Sequence, residues 1–99
     1  MSYVIFEVKS AEAGKIQTML QDDIVNRQSI MIRDANSLDM KGTVSYLKVE
    51  GSPEGLKRAE ELAKELGMKK IADKKAKKID EKIKEQEDSA ASGLGMIFD

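Results

Sequence analysis

The run Tyr3-Val4-Ile5-Phe6-Glu7-Val8 sets Val4, Phe6 and Val8 on one side and Ile5 on the other. Its aromatic and β-branched residues predict a central strand covered mainly on one face. The apolar period then changes. Ile16, Met19, Leu20 and Ile24 recur at helical spacing, Ser10 offers a cap and Glu12 a first-turn acid, so one helix is predicted over 10–26 with its stripe on the sheet. Residues 29–32 read as a short strand, 34–42 as a polar loop and 43–49 as the returning strand of a long-tipped hairpin.

Gly51-Ser52-Pro53-Glu54 is the strongest helix start in the chain, because Ser supplies a capping oxygen, Pro fits the first helical position and Glu complements the dipole. Leu56, Ala59, Leu62, Ala63 and Leu66 form the stripe of that helix, and Gly67 with Met68 behind it marks its end. Farther on the apolar positions thin to Ile71, Ala76, Ile79 and Ile83, which predicts a third, exposed helix to about Glu87. Residues 89–93 have linker composition, and Leu94, Met96, Ile97 and Phe98 form an isolated apolar end.

Joined by a right-handed crossover, the order β-α-β-β-α predicts an α+β fold: a three-stranded mixed sheet with two helices on one face, plus an exposed C-terminal helix. This is ferredoxin-like without a secure fourth strand. Residues 96–98 stand open between a short fourth strand and a mobile tail. The expected division is a core domain over 1–68, a charged helical extension over 69–88, and a flexible tail with an apolar end over 89–99.

Composition narrows the chemistry. With 99 residues there is room for one core, and with no Cys and no His the chain offers no thiolate, imidazole base or soft-metal ligand. No transition metal is expected. Lys15 follows Gly14, but Lys9 and Ile16 stand where a phosphate loop needs Gly and Ser or Thr, so no nucleotide is expected either. An enzyme is not the expectation. The longest apolar run, Tyr3 to Phe6, predicts neither a membrane span nor a secretory leader, which makes a cytoplasmic protein the expectation. Lys and Glu richness without Cys is also the composition of proteins from hot organisms.

Two acidic sets and one basic run remain as candidate sites. A first helix antiparallel to the first strand would bring Asp22 and Asp23 toward Glu50 and Glu54 at one rim, while Asp34, Asn36 and Asp39 share a loop at the opposite end. Clustered oxygen ligands suit a hard divalent cation, Ca²⁺ first. Turn chemistry and plain solvation are the alternative readings of the same residues. Seventeen basic against eighteen acidic residues give a net charge of −1, yet Lys69, Lys70, Lys74, Lys75, Lys77 and Lys78 are concentrated in one segment. Such a run fits a phosphate backbone or, with the apolar end at Leu94, Met96, Ile97 and Phe98, a protein partner or self-association. The acids Asp80, Glu81 and Glu85 that follow rank nucleic acid below protein, and a solvated helix is the plain alternative.

Residues 49–62, Val-Glu-Gly-Ser-Pro-Glu-Gly-Leu-Lys-Arg-Ala-Glu-Glu-Leu, resemble the last strand and closing helix of KH domains. The resemblance implies a KH-like body but no RNA contacts, since Gly14 has no second Gly to complete a GXXG loop. In composition and element order the chain is also similar to small α+β proteins of archaeal methanogens. A small non-enzymatic binding module is therefore predicted, with a divalent cation on its acidic loops, or a nucleoprotein or protein-interaction role for its lysine-rich third.

Overall fold

A computed structural model describes the backbone of residues 2–98 and the side chains of residues 2–86. Four strands, β1 (Ser2–Lys9), β2 (Ser29–Asp34), β3 (Val44–Gly51) and β4 (Lys69–Lys70), form one sheet in the order β2-β3-β1-β4. Every neighbouring pair is antiparallel. Three α-helices accompany them: α1 (Gly14–Leu20), α2 (Pro53–Leu66) and α3 (Asp73–Phe98). The predicted three-stranded mixed sheet is thus corrected to a four-stranded antiparallel one. β3 inserts between β1 and β2, which removes any parallel contact, and the fourth strand is Lys69–Lys70 rather than a segment near the C-terminus. That strand has no apolar signature, because backbone pairing of Lys70 with Phe6 and Lys69 with Glu7 defines it while both lysine side chains point to solvent.

The α2 helix starts and stops where local chemistry dictates. The Ser52 hydroxyl accepts a hydrogen bond from the Gly55 amide at 3.2 Å, and Gly67 ends the helix at φ 73° while the Met68 amide donates to Ala63 O at 2.8 Å. The predicted first helix is instead broken into three pieces. Residues Ser10–Glu12 form a 3₁₀ turn without a side-chain cap, α1 occupies only seven residues, and a second 3₁₀ turn follows at Val25–Arg27. Asp22 causes the second break, because its Oδ1 accepts from the amides of Ile24 at 3.0 Å and Val25 at 3.1 Å and starts a new turn.

The sheet divides the interior into two layers. On one face Phe6, Leu47 and Val49 meet Ile16 and Met19 of α1 and Leu56, Ala59 and Ala63 of α2. On the other, Ile5 and Tyr46 meet Ile71, Ala76, Ile79 and Ile83, together with Ala35 and Leu38 from a 3₁₀ turn at Ala35–Leu38. The third helix is therefore not an exposed appendage in its described part: Ile79 and Ile83 are 0% and 1% exposed. Their thin stripe suffices because strand side chains fill the remaining space. Burying each such isoleucine contributes on the order of 2 kcal/mol.

Candidate functional site

Gln28 decides the fate of the acidic rim expected from Asp22, Asp23, Glu50 and Glu54. Its Oε1 accepts from the Ser52 amide at 3.1 Å and its Nε2 donates to Ile24 O at 2.9 Å, so the amide bridges the Val25–Arg27 turn and the start of α2. Gly51 and Gly55 make room for it. A Cβ at Gly51 would stand 2.0 Å from Gln28 Oε1, and one at Gly55 would stand 2.2 Å from Gln28 Cδ. The glycines of the KH-like stretch thus have a local packing role here. Asp22 is occupied by the two turn amides and by the Arg58 guanidinium at 2.9 Å. Burial opposes its ionisation, but those donors outweigh burial and hold the carboxyl below its usual range. Glu50 lies 3.8 Å from Lys48, while Asp23 and Glu54 are exposed.

The second acidic set behaves as a structured turn. Asp34 Oδ1 accepts from the Ser45 hydroxyl at 2.8 Å, and Asp39 takes the left-handed conformation at φ 58° that ends the Ala35–Leu38 turn. Asn36 is exposed on that turn. Gln86 of α3 clasps it, donating to Ser37 O at 2.6 Å while accepting from Arg33 Nε at 2.8 Å. Among the described residues no three acidic side chains gather to hold a metal ion.

A polar group the sequence reading missed lies under α3. Lys48 and Asp80 are 4% and 5% exposed, and the Lys48 ammonium donates directly to Asp80 Oδ1. Asp80 Oδ2 also meets Lys84 at 3.2 Å, and the Lys48 ammonium stands 5.0 Å from the centre of the Tyr3 ring. Burial disfavours the Asp80 carboxylate, yet the two lysines more than compensate and lower its pKa. Each residue reads in sequence as an ordinary charged position. Only their alternation gives a hint, since Lys48 shares a β3 face with Tyr46, and Asp80 sits beside Ile79 and Ile83 on one helical stripe.

The six lysines of the basic run separate into two kinds. Lys70 pairs with Glu60, and Lys75 donates to Glu7 Oε1 at 3.3 Å while standing 5.9 Å from the Tyr46 ring centre, so these two belong to the architecture. The hydrogen bond to Glu7, against the cost of burial, raises the Lys75 pKa. Lys69, Lys74, Lys77 and Lys78 are exposed and have no ion pair among the described residues. Two depressions flank β4. One, of about 390 Å³, is lined by Phe6, Ala63 and Met68 with both bases (Lys57, Lys64, Lys70) and acids (Glu60, Glu61); the other, of about 430 Å³, lies between Tyr3 and Ile5 of β1 and Asp73, Ala76 and Lys77 of α3. The side chains of Leu94, Met96, Ile97 and Phe98 lie outside the described residues. Among the described residues no helix is long and apolar enough to cross a membrane.

Set against known proteins, the chain matches no family model, no curated protein and no solved structure.

Proposed function

We propose that this protein is a non-enzymatic binding module that holds an anionic partner along its β4 edge. The observation that carries this reading is the set Lys69 on β4 and Lys74, Lys77 and Lys78 in the first turns of α3, all exposed and with no acidic neighbour in ion-pair range among the described residues. Neutralised lysines position nothing; unneutralised ones attract an anion over roughly a Debye length, about 8 Å at physiological salt. An acidic protein segment suits the edge better than single-stranded nucleic acid. Base binding uses several aromatic platforms, whereas among the described residues Phe6 and Tyr46 are buried and Tyr3 alone is half-buried, its ring already facing the Lys48 ammonium.

Fluorescence anisotropy with a labelled polyglutamate peptide and a labelled single-stranded RNA tests the reading. The peptide is expected to bind, more weakly as salt rises, and replacement of Lys69, Lys74, Lys77 and Lys78 by Gln is expected to abolish binding while leaving the fold intact. Peptide binding unchanged in that variant, or no binding of either probe at low salt, would sink the idea; RNA bound in preference to peptide would reassign the partner to nucleic acid.

A further inference from the structure

The opposite edge of the sheet is built differently. Ser10 N donates to Thr43 O at 2.9 Å, one step past the Lys9–Val44 pair, so the even-numbered residues of β1 exchange hydrogen bonds with odd-numbered residues of β3. The even-numbered residues of β3 must then face β2, bonding Arg33, Met31 and Ser29 through Tyr46, Lys48 and Glu50. It follows that Ile30, Ile32 and Asp34 direct their backbone N–H and C=O groups away from the sheet. On this outer side Ile32 O accepts from the Arg33 side chain at 2.8 Å, while Asp34 O accepts from the Ser37 hydroxyl at 2.7 Å and, as the N-cap of the Ala35–Leu38 turn, is also that turn's first backbone acceptor. A carbonyl accepts twice, so Ile32 O remains able to pair whereas Asp34 O is already used by its turn. Ile32, the most exposed large apolar side chain described, at 42%, stands on this strand.

We propose that the β2 edge is an interface between two copies of the chain, joined as antiparallel β2 strands across a two-fold axis with Ile32 opposite Ile32. In that register the two Ile32 residues exchange both backbone bonds, and Ile30 of each copy faces Asp34 of the other so that its C=O can accept from the Asp34 N–H. Centring on Arg33 would oppose two guanidinium groups, and centring on Met31 would place Asp34 against Gln28, which is already bonded to Ile24 and Ser52. Charge supports the same choice. The antiparallel arrangement brings Arg27, exposed and without an ion pair among the described residues, to the Asp34 end of the other strand. The self-pairing buries Ile32 against its own copy and turns two four-stranded sheets into one continuous sheet.

Sedimentation velocity of the full chain over a concentration series is expected to show a reversible dimer. Ile32→Pro removes only the outward N–H, leaves the ladder to β3 intact, and is expected to weaken the dimer by about 30-fold or more with an unchanged circular dichroism spectrum. Ile32→Lys, which needs no change of backbone, is expected to do the same should the proline variant fail to fold. Arg27→Glu is expected to weaken it less, with an effect that fades as salt rises. A chain that stays monomeric throughout overturns the proposal. So does a dimer that survives Ile32→Lys unchanged, including one that is lost on Phe98→Asp instead.

Discussion

The two faces of one sheet are covered in different ways. Beneath α1 and α2 the packing is apolar from Phe6, Leu47 and Val49 to Met19 and Ala59, and this face of β3 buries no charged group, only the Ser45 hydroxyl. Beneath α3 an apolar group around Ile5, Ile79 and Ile83 surrounds a buried ammonium and carboxylate. The first layer tolerates any side chain of suitable shape, whereas the second depends on two particular residues finding each other across the sheet. Hydrophobic burial is non-directional, while a buried ion pair stabilises only when its geometry is met.

The strongest way to break this contrast is to remove the second layer. A chain ending at Met68 would leave Ile5 and Tyr46 facing water, so it is expected to lose cooperative unfolding and to bind a hydrophobic dye. Urea denaturation followed by circular dichroism and dye fluorescence checks this; a cooperative transition like that of the full chain would show that the α3 layer adds little. Next in size is the ion pair itself. Asp80→Ala leaves the Lys48 ammonium only the half-buried Glu50 at 3.8 Å and is expected to cost about 2–4 kcal/mol, while Lys48→Met combined with Asp80→Leu is expected to recover most of that loss. The sign with pH follows from the lowered Asp80 pKa. The stabilisation is fully present above the unfolded carboxylate value, about 3.9, and is lost as pH falls through the lower folded value. The parent should therefore destabilise below that pH more steeply than the double variant in acid titrations of the urea midpoint. The smallest effect belongs to the first layer's margin. Gly55→Ala drives a methyl group into Gln28 and is expected to cost about 1–3 kcal/mol, largely restored by adding Gln28→Ser. Equal costs with and without that second change would remove Gln28 from the explanation.

What the sequence discloses tracks how local each cause is. The whole of α2 is legible because Ser52, Pro53 and Gly67 act within a turn of the ends they define. The first strand and its hairpin partners are legible from their runs of β-branched and aromatic residues between turn signals. The single covered face expected for the sheet nevertheless proves to be two, with Ile5 and Tyr46 buried opposite Phe6 and Leu47. Asp22 misleads because helical spacing at Ile16, Met19 and Leu20 continues to Ile24, while the Asp22 side chain competes for the backbone and breaks the helix. The covering role of α3 is hidden for a different reason. Four apolar positions look too few for a core until Tyr46 and the aliphatic stem of Lys48 are known to supply the rest, and their partners lie about thirty residues away in the chain. The two acidic sets share this lesson: their placement at opposite ends is legible, but the turns that carry them are tied by Gln28 and Gln86, two amides that carry no charge and no periodicity.

One consequence of the Lys48–Asp80 contact concerns sliding. A helix lying on a smooth apolar surface can ratchet by one turn, about 5.4 Å, with little change in what it buries. Here such a step in one direction would set Lys84 over Lys48, ammonium against ammonium. The opposite step would set Ala76 there and leave Lys48 with no anion from the helix. The buried pair therefore works as a detent: it admits a single longitudinal position for α3, and with it a single reach for Gln86 toward Arg33 and Ser37 at the far side of the sheet.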